Sequence, residues 1–297
     1  MTRIVRAQGL MFSSLAFAVT AACTFLVPPG ERTELLVAAA MILLLGVPHG
    51  ALDMIFARKL HQIGTPLGWA CFGLAYGALA ALVVGLWSIA PVVFLIGFLV
   101  ISAGHFSGDP AQGTLAVSRV VYGGAVIILP TLLHPETVER LFAMLAGADA
   151  AALIMPWLTQ AAWPWLTAIM VCSAIEAWRS WQTGLELLAV GVLTTLAPPL
   201  IGFAVFFCGM HSARHIVRAI DYGRPMNHWV VLASGLAPMG IVLAGSVFGW
   251  QFMRAIPFDI RLVQLVFVGL AALTVPHMAL IERARFSGWS SQVRSTA

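Results

Sequence analysis

Long apolar runs, each bounded by proline, glycine or charged residues, repeat from one end of this chain to the other. A run of about 20 apolar residues is the length that an α-helix needs to cross the hydrocarbon core of a bilayer. Only 9% of the 297 residues are charged, against about 25% in a soluble domain. We therefore predict an all-α, polytopic transmembrane helix bundle that forms a single integral-membrane domain over residues 1–297.

The apolar runs predict about ten membrane spans. They cover residues 9–27, 33–57, 67–89, 91–107, 114–133, 157–178, 184–197, 199–220, 228–249 and 261–282. The segment 135–156 is predicted to be a longer connection that is partly an interfacial helix. The first run follows Arg3 and Arg6, as in a secretory signal, but it is long enough to span a bilayer. We interpret it as the first transmembrane helix.

The distribution of basic residues predicts the orientation of these spans. With the N-terminus in the cytoplasm, twelve of the sixteen lysines and arginines fall on the cytoplasmic side and four fall outside. Cytoplasmic loops of membrane proteins carry such an excess of Lys and Arg. Both termini are therefore predicted to be cytoplasmic, with the protein in the cell inner membrane. The basic residues are scattered, so no patch suggests binding to nucleic acid.

Five of the eight histidines fall inside predicted spans. They are His49, His105, His211, His215 and His277. All five lie on even-numbered spans, which run inward, at about 5–15 Å from the cytoplasmic helix ends at 1.5 Å per residue. The sixth span brings Glu176 to a similar depth. Because ionisable side chains inside a membrane are costly and mark functional sites, we predict one site in this layer. The remaining histidines, His61, His134 and His228, are interpreted as solvated or interfacial.

Local spacing suggests a metal ion at this site. His211 and His215 stand four residues apart in HSARH, so both imidazoles lie on one helix face, as two ligands of one metal often do. Asp53 follows His49 by four residues and is predicted to fix the tautomer of that ring. Taken singly, each intramembrane histidine could instead serve only as a hydrogen-bonding group between two helices.

The types of ligand limit which metals and reactions fit the site, but they do not decide among them. Neutral imidazoles suit iron, copper, zinc and nickel, whereas a thiolate or iron–sulfur site would need nearby cysteines. Few carboxylates accompany the histidines, which argues against a carboxylate-bridged di-iron centre. The pattern favours a redox-active iron acting with O₂ on a lipid-soluble substrate. Zinc hydrolysis, a membrane di-iron hydroxylase or desaturase, bis-histidine haem binding and proton-coupled transport stay open as alternatives.

Four short blocks resemble the Brp/Blh family, the integral-membrane β-carotene 15,15′-dioxygenases of bacteria and archaea. The blocks are GVPHGALD (46–53), ISAGHFSGD (101–109), CGMHSARHIVRAI (208–220) and TVPHM (274–278). They come in the family's order, and the likeness covers most of the chain after about residue 35. The resemblance implies that Fe(II) held by histidines cleaves the central double bond of β-carotene with O₂ to give two all-trans-retinal molecules.

The resemblance also implies roles for individual residues. The four histidines proposed as iron ligands in the family match His49, His105, His211 and His215, through which catalysis would proceed. Asp53, Glu176 and His277 are predicted to support those ligands, although His277 can also be a fifth ligand or a substrate contact. Asp109 is ranked below the other two carboxylates, because a position next to Pro110 can simply begin a loop. β-Carotene would enter from the bilayer, and a retinal-binding rhodopsin in the same cell is the partner that the resemblance suggests.

Overall fold

The computed structural model describes residues 3–26, 30–223 and 228–283, with only the backbone at 228–235 and 237. Within these ranges every regular element is a helix. The α-helices are α1 Arg3–Phe25, α2 Glu31–Met41, α3 Pro48–Ala51, α4 Asp53–His61, α5 Pro66–Ile89, α6 Pro91–Phe106, α7 Ala116–Ile128, α8 Pro130–Leu133, α9 Pro135–Ala146, α10 Ala148–Arg179, α11 Trp181–Leu196, α12 Pro199–Val205, α13 Ala213–Gly223, α14 His228–Phe252 and α15 Phe258–Arg283. Two π-helices, π1 Ile42–Gly46 and π2 Phe206–Ser212, join α2 to α3 and α12 to α13.

Seven helices among the described residues are long and apolar enough to cross a membrane. They are Arg3–Phe25, Glu31–His61, Pro66–Ile89, Ala116–Leu133, Ala148–Arg179, Pro199–Gly223 and Phe258–Arg283. The predicted all-α transmembrane character is thus confirmed. The other three predicted spans coincide with α6, α11 and α14, but α6 and α11 have only 16 residues each. The count of ten spans therefore stays a prediction.

The helix at the sixth predicted span begins earlier than we predicted. We expected it to start at residue 157, whereas α10 runs for 32 residues from Ala148 and contains both Pro156 and Pro164. Prolines are tolerated inside transmembrane helices because neighbouring groups satisfy the backbone that they leave unpaired. The predicted connection 135–156 is therefore α9 followed by the first turns of α10.

The two π-helices lie next to each other in the bundle, immediately before His49 and around His211. In π1 the wider turn is closed by Val47 N–H, which donates to Ile42 O at 2.8 Å. Pro48 then begins α3 and has no N–H to donate, so the regular α-helical ladder cannot continue through it. Such π-segments within α-helices occur frequently at functional sites because they change the direction of the side chains that follow.

Two of the twelve basic residues that we counted on the cytoplasmic side are buried. Arg119 and Arg214 are both 0% exposed. Arg119 donates to Ala111 O at 2.6 Å, and Arg214 makes two hydrogen bonds of 2.8 Å to the carboxylate of Glu186. A buried, paired arginine is part of the internal packing, so these two residues do not report which side of the membrane they are on.

The first helix is attached to the segment that carries His211. Helix α1 packs along α11 and also contacts π2 and α13. Gln8 uses both ends of its amide, since its Nε2 donates to Gly209 O at 2.8 Å and its Oε1 accepts from Arg214 Nε at 2.8 Å. In this way α1 satisfies a backbone carbonyl of the π-helix and orients the arginine beside His215.

Candidate metal centre

The five intramembrane histidines meet in one buried cluster, as the sequence predicted. Each is at most 9% exposed. The ring centroids of His105 and His211 are 4.5 Å apart, those of His215 and His277 are 4.8 Å apart, and those of His49 and His211 are 5.0 Å apart. His49 also lies 5.3 Å from both His215 and His277. We call these five residues the histidine cluster.

Four separate parts of the chain deliver these side chains. His49 lies in α3 directly after π1, and His105 lies in the last turn of α6. His211 belongs to π2 and His215 to the first turn of α13. His277 follows Pro276 within α15. The cluster therefore forms only when the bundle is assembled.

Asp109 holds the ring of His211. Both carboxylate oxygens of Asp109 lie 3.0 Å from His211 Nδ1, which donates to them. We had ranked Asp109 below Asp53 and Glu176 because it precedes Pro110. The backbone carbonyl of Asp109 in turn accepts hydrogen bonds from Arg214 at 3.2 Å and from Arg218 at 2.8 Å, so the aspartate is fixed from both sides.

Asp53 supports His277 and not His49, which corrects our prediction. Asp53 Oδ1 accepts from His277 Nδ1 at 2.6 Å, while Oδ2 accepts from the Tyr76 hydroxyl at 3.0 Å. The expected pairing with His49 assumed one continuous helix, but the helix is interrupted at Leu52 between α3 and α4. At this interruption Leu52 N–H donates to His49 O and Ile55 N–H donates to Leu52 O, three residues back in each case, so His49 and Asp53 do not have the relation of a regular α-helix.

The ring of His49 is held by its own chain segment and by π2. His49 Nδ1 donates to Gly46 O at 2.6 Å and lies 3.0 Å from Ser212 Oγ. The Ser212 hydroxyl also donates to Gly46 O, at 3.2 Å. Gly46 is required here for a second reason, because a Cβ at this position would collide with the ring of Phe207.

Glu176 is buried, but its carboxylate contacts residues outside the histidine cluster. Its carboxylate accepts from Leu115 N–H at 2.8 Å, at the start of α7, and lies 3.6 Å from Arg179 Nε. A carboxylate is favourable at a helix N-terminus, where backbone N–H groups lack partners. The structure therefore gives Glu176 a helix-capping contact and does not bring it to the histidine cluster.

The anchored rings leave nitrogen atoms available to a metal ion. Where Nδ1 of a neutral imidazole donates its proton to a carboxylate or carbonyl, Nε2 keeps a free lone pair. The Nε2 atoms of His211 and His277 are buried and have no hydrogen-bond partner. This pattern, with one nitrogen held by an acceptor and the other buried without a hydrogen-bond partner, is typical of metal-binding histidines.

The distances between donor atoms also fit a metal ion. One ligand atom from each of His49, His105 and His277 lies within 4.8 Å of the others. The same holds for Asp53, His215 and His277. His277 thus belongs to both groups, which favours the fifth-ligand alternative among the roles that the sequence left open.

Two cavities of opposite character adjoin the histidine cluster. The first, which we call the inner cavity, has a volume of about 530 Å³ and is lined by His49, His105, His277 and otherwise mainly by phenylalanine and leucine. The second has a volume of about 390 Å³ and is lined by His105, His211, His215 and the charged residues Asp109, Arg218 and Glu282. The histidine cluster therefore separates an apolar chamber from a polar one.

Comparison with known proteins identifies the family. A family model described as "Beta-carotene 15,15'-dioxygenase" matches residues 39–283. A protein of that name from an uncultured marine bacterium, 66A03, is 28% identical over 262 residues, which cover 82% of this chain and 92% of the relative. The "Probable beta-carotene 15,15'-dioxygenase Blh" of Halobacterium salinarum is 26% identical over 296 residues, which cover 85% of this chain and 84% of the relative. No solved structure matches. The chain therefore belongs to the β-carotene 15,15′-dioxygenase family of carotenoid-cleaving enzymes.

Proposed function

We propose that this protein cleaves β-carotene with O₂ at the central 15,15′ double bond and releases two molecules of all-trans-retinal. The observation that carries the proposal is the histidine cluster, in which the rings of His49, His211 and His277 are anchored at Nδ1 and which adjoins an apolar cavity. Membership of the dioxygenase family indicates the reaction, and the histidine cluster is the site to which we assign the metal that such a reaction needs.

Fe(II) is the metal that we assign to the cluster, with His49, His105, His211 and His215 as ligands. His277 is the candidate for a fifth ligand. Its Nε2 is buried without a hydrogen-bond partner, and it is a member of both groups of closely spaced donor atoms. Neutral imidazoles are suitable ligands for iron. When bound, iron would supply the redox chemistry that lets O₂ react with a carbon–carbon double bond.

The carboxylates beside the cluster orient the ligands and balance charge. Histidine ligands are neutral, so they leave the full positive charge of the ion in a buried site. Asp109 and Asp53 bring negative charge to the far side of His211 and His277 while fixing the direction of each ring. Outer partners of this kind raise the basicity of the imidazole and are important for metal affinity.

The inner cavity positions a substrate that has almost no polar groups. β-Carotene is a hydrocarbon dissolved in the bilayer, so it would enter from the membrane and be oriented by the shape of an apolar chamber. In the reaction the double bond between C15 and C15′ breaks, and the two oxygen atoms of O₂ end in the two aldehyde groups. No external reductant is required. A retinal-binding rhodopsin is the acceptor that we predict for the product.

We further infer a multi-pass protein of the inner membrane with ten crossings and both termini in the cytoplasm. Support comes from α6, α11 and α14, which occupy the positions of the three predicted spans that are not among the seven long apolar helices. Reporter fusions truncated after Gln62 and after His134 test this orientation. We expect cytoplasmic activity for the first fusion and external activity for the second, and the reverse would contradict it.

Expression in cells that produce β-carotene tests the function directly. We expect the orange colour to fade and retinal to appear, and we expect His49→Ala, His105→Ala, His211→Ala and His215→Ala each to abolish both effects. His61→Ala is the matched control, because that histidine is exposed at the end of α4. Unchanged carotenoid in cells that contain folded, iron-loaded protein would refute the substrate assignment.

A further inference from the structure

A larger apolar cavity lies beyond the inner cavity, and no step described so far uses it. This outer cavity has about 700 Å³ of empty space, including the part that is open to its surroundings, against about 530 Å³ for the inner cavity. Its wall contains hydrophobic residues from α6, α7, α8, α9, α12 and α15. Among the described residues that line it, only Ser102 has a polar side chain. Such a chamber fits a hydrocarbon and offers almost nothing to a polar ligand.

The inner and outer cavities share one wall. Phe98, Ser102, Phe106 and Phe203 line both of them. These residues come from α6 and α12, and the shared phenylalanines form the boundary between the chamber beside the histidines and the chamber farther away. The two cavities are therefore direct neighbours.

A single face of α15 runs along both cavities. His277, Thr274 and Leu270 line the inner cavity, and Phe267 and Val263 line the outer one. Their spacing of three and four residues keeps them on one side of the helix. The face extends for about 21 Å between His277 and Val263 at 1.5 Å per residue. The two cavities thus lie end to end along the helix, with the histidine cluster at one end.

We propose that the outer cavity is the subsite for one terminal ring of the carotenoid and that it determines which double bond reaches the histidine cluster. This inference rests on the proposed function. A carotenoid is a rod with a bulky ring at each end and a thin polyene between them. Its ring occupies the wide outer cavity, while the polyene passes the boundary formed by Phe98, Phe106 and Phe203.

The depth of the outer cavity then determines which double bond of the polyene lies beside the histidine cluster. The polyene has a series of similar double bonds and no polar group to mark the central one, so hydrogen bonding cannot select it. A ring held at a fixed distance from the histidines presents only one bond of the chain to them. Steric positioning of this type is the remaining source of selectivity for an apolar substrate.

Filling the outer cavity tests the proposal. Val126 lines this cavity on α7 and is 6% exposed, whereas Val120 on the same helix is 52% exposed. We compare Val126→Phe with the matched control Val120→Phe in purified, metal-loaded protein. Leu141→Trp fills the same cavity from α9 and serves if Val126→Phe does not fold. The substrates are β-carotene and an acyclic carotenoid that has the central double bond and a polyene of similar length but no terminal ring.

We expect Val126→Phe or Leu141→Trp to lower β-carotene cleavage by roughly tenfold or more while cleavage of the acyclic substrate changes little. Val120→Phe should leave both activities as in the wild type. Equal loss with both substrates, or no loss with either, would overturn the ring subsite while leaving the proposed function intact. Failure of the wild-type protein to cleave either substrate would instead refute the proposed function and, with it, this inference.

Discussion

Asp53 and His277 are 224 positions apart in the sequence, yet Asp53 Oδ1 lies 2.6 Å from His277 Nδ1. The other oxygen of the carboxylate accepts a hydrogen bond from the hydroxyl of Tyr76 on α5. One side chain from the second predicted span therefore fixes a histidine of the last span. The contact connects α4 to α15 at the histidine cluster. Because Nδ1 is the atom that faces Asp53, Nε2 of His277 is directed away from the carboxylate.

Replacing Asp53 by asparagine tests this connection. Asp53→Asn keeps the shape of the side chain but removes its charge, and we expect metal affinity to fall by about 10–100-fold. Glu139→Gln is the control, because Glu139 is an exposed carboxylate on α9. Metal titration of the purified apoprotein measures both variants. Equal affinity of Asp53→Asn and wild type would show that the aspartate does not act on a metal ligand.

Asp109 gives an independent prediction, because it holds a different ring. We expect Asp109→Asn to weaken metal binding by about tenfold or more, since the amide still accepts from His211 but carries no charge. The double variant with Asp53→Asn should lose more than either single variant. If Asp109→Asn alone left the metal content and the retinal yield unchanged, the role of this carboxylate would be structural only.

The position of the site could be predicted from the sequence, but its hydrogen bonds could not. Depth along a transmembrane helix follows from counting residues, so the meeting of His49, His105 and His277 in one layer was foreseeable. The pairing of the aspartates depends on which way each side chain points. The π-helices and the interruption at Leu52 change that direction locally, and apolar sequence patterns do not reveal them.

Burial of charge was also hard to foresee. Arg119 and Arg214 lie near predicted helix ends, where arginine normally faces water or lipid headgroups. Their burial depends on partners that are distant in sequence, such as Glu186 for Arg214. Asp109 was undervalued for a related reason, since a position next to proline at a helix end predicts a loop. Its spacing of four residues from His105 was the available signal.

A close contact between α6 and α7 positions His105, and Gly123 permits it. A Cβ at Gly123 would collide with Ala103 O and would lie 2.8 Å from Ser107 N. We expect Gly123→Ala to destabilise the fold by about 1–3 kcal/mol and to lower the metal content. Gly97→Ala on α6 is the control, because nothing lies within 4 Å of its added Cβ. Thermal unfolding in detergent measures the stability, and equal stability of the two variants would contradict the close packing.

The buried ion pair of Glu186 and Arg214 supports the segment that carries His211 and His215. Removing the carboxylate leaves a buried arginine without its charge partner, so Glu186→Leu should cost about 3–5 kcal/mol. Adding Arg214→Met should recover part of that loss, because no unpaired charge then remains. Denaturant unfolding in mixed micelles measures both variants. A double variant that is less stable than Glu186→Leu would argue that the arginine contributes mainly through Gln8 and Asp109.

Iron stoichiometry combined with turnover tests the central claim most directly. Purified apoprotein is titrated anaerobically with Fe(II), and each sample then receives β-carotene and O₂. We expect retinal formation to rise linearly and to saturate at one iron per chain, with two retinal molecules for each β-carotene consumed and no Soret absorption. Saturation at two irons per chain, a Soret band, or bound iron without any retinal would contradict a single non-haem iron held by the histidine cluster.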